Sequence, residues 1–307
     1  MNTPSISFTR YLYETTEVAH SMLFALLDHK REEALFWAYE LYFSGFEPEL
    51  AEWIQCIYDT FYSKTEPHYR EHVVLNLGRL STLPDPEERD CLIGTIVSNL
   101  AHRAYDIQEF VSRHMTAEFD ENPVPKNNHK IYIRFRPRDL EKYKTKKMVA
   151  RKMLEHVSEY PIRKSETLFI QKYANMGEPF DGTTDMEKSY LYDWLYYASK
   201  TPIWEARIRE YNAVIDDSQK MVRFTSDDEY EMFHDDYGYE PDEQSEKIHI
   251  LHGIDVHRKG IFDPLCPHEF IFAYSETLIV NIHQPKLSSS VRKVGEREPA
   301  EFVQKMY

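Results

Sequence analysis

Glycine is scarce in this chain, nine residues among 307, and with it go the loops that cradle phosphate through bare backbone. Neither G-x-x-x-x-G-K-[ST] nor G-x-G-x-x-G occurs, so nucleotide-loop chemistry has little to be built from. G-x-S-x-G is missing too, which removes the nucleophile elbow of the hydrolases. Cysteine is limited to Cys56, Cys91 and Cys266. They are odd in number, far apart and without a C-x-x-C pair, so no disulfide framework is expected and a reducing, intracellular compartment is the natural setting. No run approaches the ~18 apolar residues that a bilayer span needs. The opening residues lack a basic region followed by an apolar one, so no signal peptide is expected. Positive charge is in deficit as well: 37 Lys and Arg stand against 52 Asp and Glu, a net charge of -15, which argues against uniform wrapping of nucleic acid.

What is abundant is aromatic side chain, 22 Tyr and 17 Phe, set in sequence of strong helical character. Low Gly favours helix because Gly loses the most backbone entropy there. In KREEALFWAYELYFSGFEPEL (30–50) Leu35, Tyr39 and Tyr42 form one stripe, Trp37 and Leu41 a second, and Phe36 and Phe43 a third, with only Glu40 interrupting. Glu32 and Glu33 suit the positive end of the helix dipole, and Gly45 with Phe46 suits a glycine C-cap. A helix apolar on every side belongs in a core. Pro48, Leu50, Trp53, Ile54, Ile57 and Phe61 predict the next helix. In LPDPEERDCLIGTIVSNLAHRAY, Asp85 is placed to cap, Pro86 to start and Glu88 to complete a capping box, while Leu92, Ile93, Ile96, Val97, Leu100 and Ala104 share a face. Residues 8–28, 68–80 and 106–115 are expected to be helical as well. No repeat of 34 to 45 residues is found.

The expected fold is mainly α. Stacked helical hairpins occupy 1–115, a Pro- and Asn-rich linker 116–130, and a second α-rich region 131–307. In the latter, 187–213 reads as helix with Thr201 as cap and Pro202 first. KIHILHGIDV and EFIFAYSETLIVNIHQP are candidate β-strands, and a polar tail runs from Lys286.

Charge is segregated. From Lys126 to Lys152 there are 11 Lys or Arg against two acids, a balance of +9, and from Asp216 to Glu246 there are 12 acids against two cations, a balance of -10. The basic block carries Lys130, Arg134, Arg136, Arg138, Lys142, Lys144, Lys146, Lys147, Arg151 and Lys152, interleaved with Tyr132, Phe135 and Tyr143. It has three readings: docking of an acidic protein or pairing with the acidic block, contact with nucleic-acid phosphates, or a plain solvated face. Its front end, Ile131, Ile133 and Phe135, alternates as a strand does. The acidic stretch within 216–246, with Asp227, Asp228, Glu229, Asp235 and Asp236, is poor in aliphatics and reads as a mobile loop able to order on a partner.

Two sets of side chains suggest metal. HYREH (His68, Glu71, His72) fits H-x-x-E-H, with both histidines one helical turn apart, although a solvated helical turn fits it better and no third ligand stands out. His249, His252, His257, Cys266 and His268 lie close in sequence but in no standard zinc spacing. No catalytic residue is singled out and no cofactor is expected.

The stretches REEALFWAYELYFSGFEPEL, IYDTFY and YLYDWLYYASKTPIWEARIREYNAVID resemble uncharacterised helical proteins encoded by the large nucleocytoplasmic DNA viruses of protists and algae. That resemblance implies a viral factory in host cytoplasm, or a virion, as the setting. The expected role is a non-enzymatic scaffold or minor structural component whose charged surfaces meet capsid or assembly proteins. A nucleic-acid-associated factor in replication, transcription or packaging is the alternative, and a zinc hydrolase at His68, Glu71 and His72 the third.

Overall fold

Glu14 ends an irregular N-terminal segment and caps the first helix, its carboxylate accepting the Glu17 N–H at 2.7 Å. The computed structural model describes residues 6–107, 110, 132–163 and 186–254. Among these the chain is mainly helical. The helices are α1 (Thr15–Leu27), α2 (Arg31–Tyr42), α3 (Glu47–Ile57), α4 (Arg70–Leu80), α5 (Pro86–Leu100), α6 (Pro137–Leu140), α7 (Met153–Val157), α8 (Met186–Leu191), α9 (Trp194–Ala198), α10 (Pro202–Glu210), α11 (Asp227–Tyr237) and α12 (Glu246–Leu251). The single sheet among the described residues is a two-stranded antiparallel ribbon, β1 (Val214–Asp216) with β2 (Met221–Arg223). No described helix is long and apolar enough to cross a membrane.

The apolar-all-round α2 lies at the centre. Tyr13 and Tyr160 pack on Phe36, while Phe135 and Tyr143 pack on Tyr39. Trp37 is fully buried. Gly45 closes the helix as expected: its φ is +98°, its N–H reaches the Tyr42 carbonyl at 3.1 Å, and the Phe46 N–H reaches that of Leu41 at 3.2 Å, the Schellman pattern. Glu40, the one charge in the stripe set, is buried against Arg10 at 2.9 Å and also accepts the Tyr11 N–H at 3.1 Å. Desolvation of an acid in that position is tolerable only because it is paired and hydrogen-bonded.

One continuous core takes side chains from both regions divided by the expected linker, whose residues lie outside those described. Three joints tie the regions together. Thr201 does not cap α10 with its side chain; its hydroxyl donates instead to the Phe8 carbonyl at 2.7 Å, and the Trp204 indole donates to that of Thr9 at 2.8 Å. Arg163 forks onto Glu33 at 2.7 and 2.8 Å and reaches Asp28 at 2.6 Å. His252 is buried between Leu12 and Ser158.

Several expectations are corrected. Residues 8–14 form a turn closed by a Phe8–Glu14 bridge, so helix begins only at Thr15. Asp85 does cap α5, but Glu88 turns to Arg79 at 3.3 Å and makes no capping box. The described part of KIHILHGIDV, 247–254, contains helix α12 and no strand, because a short apolar run does not by itself choose its period. The acidic stretch is not a loop: Ser226 caps α11 by accepting the Glu229 N–H, and Asp227, Asp228 and Glu229 sit where the helix dipole favours negative charge. Phe233 supplies its buried anchor. Most of 106–115 and all of EFIFAYSETLIVNIHQP and the polar tail lie outside the described residues.

Gly94 sits inside α5, where Gly costs about 1 kcal/mol relative to Ala. A Cβ there would stand 2.4 Å from the Phe135 ring and 2.5 Å from the Tyr39 hydroxyl. Close approach therefore outweighs propensity. Gly94→Ala is expected to destabilise the protein by about 1–3 kcal/mol through overpacking, read as a lower midpoint in urea unfolding; a gain of stability would contradict the packing described.

Candidate functional site

Ile131 lies outside the described residues, and the rest of the basic block's front end is not a strand. Residues 132–136 run along α5 without regular secondary structure, and their backbone bonds go to helix side chains. The Ile133 N–H donates to Asn99 Oδ1 at 3.0 Å, Asn99 Nδ2 donates to the Ile133 carbonyl at 2.6 Å, and the Phe135 N–H donates to Thr95 Oγ1 at 3.1 Å. Phe135 is buried beside Gly94 while Tyr132, Arg134 and Arg136 are exposed. Period two is thus present without a partner strand among the described residues, which explains why the sequence pattern resembled one. Pro137 then opens α6, and the Asp139 carboxylate accepts the Arg136 N–H at 3.3 Å.

A groove of about 710 Å³ runs beside this strip. Asn76 and Arg79 of α4, Leu92 and Thr95 of α5, and Arg134 and Arg136 contribute to its lining. Its acids are already engaged: Glu88 with Arg79, Asp85 at the cap of α5, and Glu87 with Lys144 at 3.8 Å. Cys91 also lines it, but burial pushes its thiol up to about 11, so it is protonated at neutral pH and a poor nucleophile.

The structure divides the ten cations. Lys142 pairs with Glu32 and Glu159, and Lys144 with Glu87 and Glu141. Arg151 pairs with Glu240 and Glu243 of the acidic stretch, so the two blocks do meet within the chain, at that residue. Arg134, Arg136, Lys146, Lys147 and Lys152 form no ion pair with a described residue, and Arg138 meets only its neighbour Asp139, at 3.7 Å. Lys130 lies outside the described residues. Arg10 fixes the middle of the block from beneath, donating to the Tyr143 carbonyl at 2.8 Å and to Thr145 at 3.0 Å.

Of the three interleaved aromatics only Tyr132 stays exposed, since Phe135 and Tyr143 are buried. The stacking series that would suit single-stranded nucleic acid is therefore reduced to one ring. Exposed Met148 and Val149 adjoin Lys146 and Lys147 instead. On α11, Asp227, Asp228 and Asp235 are exposed and make no ion pair with a described residue. The Glu229 carboxylate accepts from Asn212 Nδ2 at 2.6 Å and from the Ser226 hydroxyl at 3.3 Å, and that of Asp236 from the Tyr211 hydroxyl at 2.6 Å.

His68 stands in a 3-10 turn, with Glu71 and His72 in the first turn of α4; all three are exposed, and His72 packs its ring against Tyr69 and Tyr132. The i, i+4 spacing thus straddles a change of helix type. His249 Nε2 is bonded to the Pro241 carbonyl at 2.8 Å, and both nitrogens of His252 are engaged. His257, Cys266 and His268 lie outside the described residues. Among the described residues no three His, Cys, Asp or Glu side chains are grouped to hold a metal ion.

Sequence reasoning missed Gly94, Thr95 and Asn99. The signal was there: small and polar residues form a stripe along an otherwise apolar helix, which marks a face that receives backbone. No protein-family model, no curated protein and no solved structure matches this chain, so the geometry of the basic face carries the functional reading.

Proposed function

We propose that this chain is a non-enzymatic interaction protein, a scaffold or minor component of a larger assembly, and that Arg134, Arg136, Arg138, Lys146 and Lys147 dock an acidic protein partner. The supporting observation is that these five exposed or half-buried cations lack an ion pair to any other described element, whereas Lys142, Lys144 and Arg151 have one. Exposed surface charges without partners contribute little to folding and are free for association. The apolar Met148 and Val149 beside them suit a protein surface better than a phosphate backbone. The outer face of α11, through Asp227, Asp228 and Asp235, offers the opposite sign to a basic partner. The resemblance to proteins of large DNA viruses makes a viral factory or virion the setting we favour.

Density-gradient separation of a lysate from the natural source, with and without nuclease, tests this. Co-migration with large particles at a fixed, nuclease-resistant copy number is expected. Migration as a small species, or release by nuclease, would replace the scaffold with the nucleic-acid reading.

A further inference from the structure

Among the described residues the strip 132–136 is paired along one edge only. Successive backbone groups of an extended chain point in opposite directions. Both groups of Ile133 and the N–H of Phe135 are turned to α5, where the Asn99 amide takes both the N–H and the carbonyl of Ile133, as a neighbouring strand would, and Thr95 takes the N–H of Phe135. The N–H and carbonyl of Tyr132 and Arg134 then point the other way, and neither residue's backbone has a hydrogen-bond partner among the described residues. Both residues are exposed. Such an unpaired edge is a template for another strand, and it stops where Pro137 begins α6.

The flanking charge selects the occupant. Arg134 and Arg136 are the cations of the adjoining groove that make no ion pair with a described residue, while its acids are engaged with Arg79, Lys144 and the α5 cap. We infer that 132–136 is a docking edge for an extended segment of a partner protein, which adds to Tyr132 and Arg134 as a β-strand and sets carboxylates against Arg134 and Arg136. Main-chain bonds would give affinity and the arginines the preference for acidic sequence. This deepens the proposed function and rests on it, giving the mode by which part of the basic face binds.

The test titrates the whole protein into a fluorescein-labelled ten-residue peptide of alternating Glu and Val, read by anisotropy. Two further peptides carry N-methyl groups on alternate residues, one in each register. Strand addition predicts that one register loses about tenfold in affinity while the other changes by less than about twofold, because only alternate peptide N–H groups face the edge. Arg134→Ala should weaken binding by the charge alone, and Arg134→Pro, which also removes the outward N–H, should weaken it further. If Arg134→Pro fails to fold, the methylated peptides with the native chain still decide. Equal effects of the two registers, with Arg134→Ala still weakening binding, would overturn the strand mode and leave the acidic-partner reading standing. No binding of the unmodified peptide, or binding indifferent to Arg134→Glu, would overturn both.

Discussion

Glu40→Ala is expected to destabilise the protein by about 3–5 kcal/mol, the cost of breaking a buried ion pair by removing one partner. Glu40 and Arg10 are almost fully buried side by side. The substitution strands the Arg10 guanidinium in the core and frees the Tyr11 N–H that Glu40 now accepts. Two of the guanidinium contacts survive, to Thr145 and to the Tyr143 carbonyl, which favours the lower part of that range. Glu40→Gln keeps the shape and an acceptor, so a smaller loss is expected. Urea unfolding followed by circular dichroism gives both values. A loss below about 1 kcal/mol for Glu40→Ala would mean that the pair behaves like an exposed one. The proposed docking surface should be disturbed as well, because Arg10 holds the stretch that carries Lys146 and Lys147.

Acidification below neutrality should weaken the fold through His252. Its ring is fully buried, stacked on Tyr13 at 4.0 Å between centroids. The Leu12 carbonyl at 3.2 Å can only accept, so Nδ1 donates to it, and Nε2 accepts from the Ser158 hydroxyl at 2.9 Å. Burial holds the imidazole pKa down at about 3, with His249 adding to the depression and the Leu12 carbonyl opposing it. The unfolded chain binds a proton near pH 6.5 and the folded chain does not. Stability is therefore full above pH 6.5 and falls by about 1.4 kcal/mol per unit on the way towards pH 3. About 2 kcal/mol should be gone by pH 5, before most carboxylates titrate. Denaturant unfolding at pH 7.5, 6 and 5 measures this, and His252→Gln should flatten the slope. An unchanged slope would place the acid sensitivity elsewhere.

The sequence was most informative where a single helix carried its own explanation. The three apolar stripes of α2 required burial on all sides, and Gly45 marked its end. It was least informative where structure depends on distant partners. The strip 132–136 has strand periodicity, yet Asn99 and Thr95 of α5 take the place of a strand, and nothing local distinguishes the two. The stretch containing α11 looked too poor in aliphatics to fold, but Ser226, three acids in the first turn and Phe233 supply cap, dipole and anchor. Thr201 is a residue type that caps helices and here spends its hydroxyl on Phe8, nearly two hundred residues away in sequence. The candidate cations were legible as a block; which of them lack an ion pair among the described residues was not, since Lys142, Lys144 and Arg151 find carboxylates that only the fold brings near.

The most direct test of the account separates the five cations from the rest of the molecule. Purified, labelled chain, either native or with Arg134, Arg136, Arg138, Lys146 and Lys147 all changed to Glu, is added to the nuclease-treated, fast-sedimenting fraction of the source lysate, and rebinding is quantified at physiological salt. The account predicts saturable rebinding of the native chain and at least about a tenfold weaker association of the charge-reversed one, which is within reach of removing several complementary charge contacts. Equal rebinding of two well-folded proteins would contradict it.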